Sequence, residues 1–108
     1  MTSAAPVYAL EMVDKATLEN FRRYATNVNV PGLTVHKATV ALGERLDGDR
    51  VTRVTLLLDD PPGDTWGVSA VRQLRQVLGR RATELGLPPV SLTLVPKSEA
   101  NTVEAFAL

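Results

Sequence analysis

Residues 51–67 read VTRVTLLLDDPPGDTWG, and this stretch decides the fold. A run of β-branched and aliphatic residues ends abruptly at Asp59-Asp60, turns through Pro61-Pro62-Gly63 and reaches Asp64-Thr65-Trp66. Val, Thr and Leu suit an extended, buried segment, whereas paired prolines cannot donate to a strand ladder and paired aspartates resist burial. The stretch therefore reads as a central strand, a stiff acidic turn and a helix start.

Downstream, Val68, Val71, Leu74, Leu78, Ala82 and Leu85 recur at helical spacing, with Arg72, Gln73, Gln76, Arg80 and Glu84 on the other faces. This predicts a helix over 66–85. Gly86 stands where a left-handed cap closes a helix, and Pro88-Pro89 prevent continuation. Residues 90–95 then alternate Val90, Leu92, Leu94 with Ser91, Thr93, Val95, the pattern of a half-buried strand.

Upstream, residues 33–45 are rich in β-branched side chains, and Asp47-Gly48 marks a hairpin. Ala38, Val40 and Leu42 share the parity of Val54, Leu56 and Leu58, and opposed residues in a hairpin lie on one face. Matching the two sets requires an odd-numbered loop; a two-residue turn on Asp47-Gly48 would set Leu42 opposite Arg53. A three-residue loop containing Gly48 is expected. Leu33 and Val35 have the opposite parity, which predicts a bulge or bend between Val35 and Ala38. Before this hairpin, Leu18, Phe21, Tyr24, Ala25 and Val28 form one apolar helical face. Asp14 is its expected N-cap, with Thr17 a second candidate, and Asn29 with Pro31-Gly32 ends it. Residues 7–12, VYALEM, read as a short strand, and residues 97–108 form a tail that fits either a short helix or an added strand.

Strand, helix, strand, strand, helix, strand is the order of a ferredoxin-like βαββαβ sandwich. The expectation is a single α+β domain over 1–108, with a four-stranded, mostly antiparallel sheet and two helices on one face. If residues 7–12 are not a strand, the alternative is a three-stranded mixed sheet with two helices.

Composition narrows the chemistry. The chain has 108 residues, no cysteine, one histidine, and 12 basic against 12 acidic residues. Disulfides and cysteine-built zinc sites are excluded, and no net field attracts nucleic acid or an anionic membrane. No apolar run reaches the roughly 20 residues of a membrane helix, and the start has no secretory pattern, so the expected compartment is cytoplasmic. The phosphate-binding glycine patterns are missing, and Ser69 is not in a G-x-S-x-G elbow. The calcium-loop series D-x-D-x-D-G is missing too. The RNA-recognition form of this fold needs aromatic residues on its central strands; Tyr8 could be one, but residues 51–58 contain none.

In the expected fold the loops after the first and third strands leave the same end of the sheet. Asp14 and Lys15 would then approach Asp59, Asp60, Asp64 and Trp66, a candidate binding cluster whose carboxylates suit a hard cation. The same residues also have a structural explanation: Asp59 and Asp60 end the strand, the prolines stiffen the turn, and Asp64 or Thr65 caps the helix. His36 is the first choice for any general base, but sequence provides no adjacent partner. Arg72, Arg75, Arg80 and Arg81 gather on the second helix, with Arg22 and Arg23 on the first, as solvated faces commonly do. The sheet face away from the helices should carry Arg53, Thr55, Leu57, Thr93 and Val95, too apolar for full exposure and too polar for a core. These features lead to an expected non-catalytic interaction or self-association module with a second copy or a partner protein, and with no cofactor or metal. The alternative is a small-molecule-binding protein or small enzyme of dimeric α/β-barrel type, with its pocket near His36 or the acidic turn.

Overall fold

The apolar run of the opening stretch forms the middle strand of a three-stranded sheet. The computed structural model describes residues 14–102. In chain order these contain α1 (Lys15–Thr26), β1 (Val35–Glu44), β2 (Arg50–Leu58), α2 (Val68–Glu84), β3 (Val90–Pro96) and a 3₁₀ segment (Lys97–Thr102) kinked at Glu99. The sheet order is β1-β2-β3, with β1 antiparallel and β3 parallel to β2.

This corrects the ferredoxin-like expectation. There, the first strand would lie beside the middle one in parallel, and the last strand would sit outside it. Instead β3 pairs with β2 directly, from Thr52 opposite Val90 to Leu58 opposite Pro96. Continuous pairing leaves no slot for a strand between them. The described residues form a three-stranded mixed sheet with two helices, in place of a four-stranded, mostly antiparallel one. The expected strand at 7–12 and the last part of the 97–108 tail lie outside the described residues.

The hairpin follows the parity argument. Leu42 faces Thr52, Val40 faces Val54 and Ala38 faces Leu56. Arg45 N–H donates to the Asp49 carbonyl at 2.8 Å and Gly48 N–H to the Arg45 carbonyl at 2.9 Å, which encloses a loop of Leu46, Asp47 and Gly48. Gly48 has φ of 90°, a conformation that a side chain resists. The register shifts between Val35 and Lys37, so His36 is the extra residue of a β-bulge.

Even-numbered residues of β2 build the core. Val54, Leu56 and Leu58 are buried together with Phe21 and Ala25 of α1 and Leu74, Leu78 and Ala82 of α2, so both helices cover one face. Val90, Leu92 and Leu94 border the same cluster. Burying a leucine of this kind contributes about 1.5–3 kcal/mol. Among the described residues one polar side chain shares the interior: Thr52 is fully buried, and its hydroxyl donates to the Pro88 carbonyl at 2.8 Å. Its N–H donates to the Pro89 carbonyl at 2.8 Å, so the segment leading into β3 is clasped to the start of β2.

The helix ends follow local chemistry. Asp14 caps α1 by accepting from the Thr17 N–H at 2.9 Å, and this bond holds its carboxyl below the usual range. After α2, Gly86 takes a φ of 74°, and Leu87 N–H returns to the Ala82 carbonyl at 2.8 Å in a Schellman closure. The start of α2 differs from expectation. Gly67 occupies the N-cap without a side-chain hydrogen bond, so neither Asp64 nor Thr65 caps it. Val68, expected on the buried stripe, is 70% exposed.

Candidate functional site

Parallel strands joined by a helix bring their C-terminal ends together, and in open α/β sheets ligands gather outside those ends. Here β2 and β3 end side by side, at Leu58 opposite Pro96, and the acidic turn and the 3₁₀ segment leave from that edge.

Asp59 is the hub. Its N–H extends the ladder by donating to the Thr34 carbonyl at 3.1 Å, and its carbonyl accepts the Trp66 indole N–H at 3.0 Å. This second bond closes the turn and fixes the indole ring. It also accounts for the late start of α2, because the chain must reach Trp66 before winding up. The Asp59 Oδ1 meets His36 Nε2, which the bulge directs toward it. The hydrogen bond from His36 is the main cause that lowers the Asp59 pKa, with further help from the charges of His36 and Lys97 and some opposition from burial. Asp60 turns the other way and accepts the Ser98 N–H at 2.9 Å, tying the turn to the segment after β3.

Two depressions flank Trp66. An open cleft of about 500 Å³ has Asp60, Asp64, Pro96, Ser98 and Glu99 around it. A second, smaller groove of about 300 Å³ is lined by Thr65, Val68, Val71, Arg72 and Arg75. Trp66 belongs to both.

The sequence-derived cluster is therefore assembled in part. Asp60, Asp64 and Trp66 share the cleft, with Asp59 behind them. Asp14 and Lys15 stand elsewhere: Asp14 is committed to its own helix, and α1 meets α2 near Val77 and Arg81, well past the first turn of α2. Nor do the aspartates converge as ligands. Asp59 is directed to His36 and Asp60 to Ser98, and no group of three or more potential metal-binding side chains occurs among the described residues.

The helix-free sheet face is less open than its sequence suggests. Val95 is 4% exposed, and Thr55 and Leu57 are half-buried, which leaves Arg53 and Thr93 in solvent. Arg53 lies over Gly43 and donates from Nη2 to the Glu44 carbonyl at 2.7 Å. A Cβ at Gly43 would stand 2.3 Å from Arg53 Nε, so glycine makes room for this arginine.

Sequence reasoning missed the His36–Asp59 pair, although the expected bulge and the β1–β2 register contained the signal. Among the described residues no helix is long and apolar enough to cross a membrane. No family model matches the chain, and no curated protein or solved structure matches it either.

Proposed function

We propose that the chain is a non-catalytic α+β interaction module that self-associates through the end of the sheet carrying Trp66. One observation carries this reading: Trp66 sits between a cleft lined by Asp60, Asp64 and Glu99 and a groove lined by Arg72 and Arg75. A two-fold axis near Trp66 would set the acidic side of each copy on the arginine side of the other, the self-complementarity that an isologous interface needs. Tryptophan and arginine also dominate the energetic centres of interfaces. The indole is fixed in advance by its bond to the Asp59 carbonyl, which lowers the ordering cost of association. Val68, at 70% exposure, adds an apolar contact beside it.

A non-catalytic role is supported by the commitments of the polar groups. His36 is directed to Asp59, and among the hydrogen bonds of the described residues no hydroxyl completes a nucleophile–base pair with it. The test is molecular mass by light scattering as the protein is concentrated to about 1 mM, the weak end of specific association. The mass should climb toward that of a dimer, and Trp66→Ala should keep it at that of a monomer. A strict monomer across the range overturns self-association.

A second reading is favoured by the cleft itself, whose volume of about 500 Å³ fits a small ligand. Its carboxylates suit a small organic cation. A saturable change in Trp66 emission on adding agmatine at constant ionic strength, with the mass still monomeric, would select this reading. An unchanged emission would remove it.

A further inference from the structure

Among the described residues, the Nε of Arg81 is the one buried side-chain nitrogen or oxygen without a hydrogen-bond partner. An orphaned donor of this kind calls for an explanation. Arg81 is otherwise held in place: Nη1 donates to Glu84 at 3.2 Å, and its guanidinium carbon lies 5.3 Å from the centroid of the Tyr24 ring. The remaining bond, Nη2 to the Asn20 side-chain oxygen, is long at 3.4 Å. A guanidinium with five donors is thus positioned by stacking and left short of acceptors.

This group lines an open cleft of about 610 Å³ between α1 and α2, within the size range of small-molecule sites. Arg23 and Asn29 contribute further donors, Val28 and Val77 provide an apolar wall, and no carboxylate is among the lining residues. The C-terminal end of α1 would ordinarily repel an anion. Asn27 shields only one carbonyl of that turn, since its N–H at 3.1 Å and its side-chain amide at 2.8 Å both donate to the Arg23 carbonyl, so the anion belongs on the Arg81 side of the cleft.

We propose that this cleft binds a small organic carboxylate, with the carboxylate on the Nη groups of Arg81, whose buried Nε is closed to a ligand, and the apolar body against Val77. A carboxylate offers the planar pair of acceptors that suits a guanidinium fork. A phosphate dianion fits less well, because Glu19 and Glu84 already pair with Arg23 and Arg81 and leave little net positive charge. The site is remote from Trp66 and stands apart from the self-association reading.

The test is an NMR titration with benzoate at constant ionic strength, followed on backbone amides and on the Arg81 Nε–H signal, with inorganic phosphate as a second arm. Benzoate should give saturable shifts at Arg81, Asn20 and Val77, and Arg81→Lys should weaken its binding roughly ten-fold. Asn29→Asp, a change at an exposed position of the cleft wall, should abolish it without disturbing the fold. Shifts that do not saturate, shifts equally large at Arg72, Arg75 and Arg80, or a stronger response to phosphate would each overturn the proposal. So would unchanged binding in Asn29→Asp.

Discussion

The imidazole of His36 meets the carboxylate of Asp59 across the β1–β2 pair, Nε2 against Oδ1, because a bulge turns His36 toward the end of the middle strand. The contact places a charge-assisted bond at the edge from which the acidic turn leaves. Since it is the main cause of the lowered Asp59 pKa, His36→Ala should raise that pKa toward the ordinary 3.8, with the Lys97 charge preserving part of the shift. A side-chain carboxyl NMR titration measures this directly, and an unchanged value would refute the coupling.

Acid sensitivity follows with a definite sign. Glu19 is lowered from 4.5 to about 2, chiefly by its hydrogen bond from Arg22. Between those values the folded chain binds fewer protons than the unfolded chain, so stability rises with pH through the window and is lost as pH falls through it. Glu19→Gln should flatten the pH dependence of Tm between about pH 4.5 and 2. Thermal melts across that range provide the check.

Core and surface positions should separate clearly. Leu56 is fully buried in the core cluster that the sheet shares with both helices, and Leu56→Ala should cost about 2–5 kcal/mol in denaturant unfolding. Val68→Ala, at a largely exposed position, should stay within about 0.5 kcal/mol.

Thr52 tests the clasp between the two parallel strands. Thr52→Val keeps the shape but leaves the Pro88 carbonyl without its hydroxyl donor, at a cost of about 1–3 kcal/mol. Amide exchange should quicken first in Val90 and Ser91, the residues that follow this joint.

Much of this architecture could be read in the sequence, and the failures have physical causes. Parity in residues 38–42 and 54–58 fixed the register and the three-residue loop, because a one-residue slip would turn the core side chains outward. Asp14 and Gly86 declared the helix ends through short-range chemistry. The neighbour of β2 was not legible. Val90, Leu92 and Leu94 present the same alternation whether β3 lies beside the middle strand or at an outer edge, and the choice depends on how α2 packs across the sheet. Part of the candidate site failed with it, since Asp14 and Lys15 were brought to the turn only by the ferredoxin-like arrangement. The His36–Asp59 pair spans 23 residues, and only tertiary register places it. Asp64 and Thr65 looked like caps because they precede an apolar helical pattern, but the Trp66–Asp59 bond delays the helix to Gly67.

The most direct test of the self-association reading is a map of backbone amide shifts during serial dilution from about 1 mM. Dimerisation about Trp66 predicts concentration-dependent shifts in residues 60–75 and at Ser98 and Glu99, with β1 and the α1–α2 cleft unaffected. Concentration-dependent shifts centred instead on Arg53, Thr55 and Thr93, or none at any position, would contradict it.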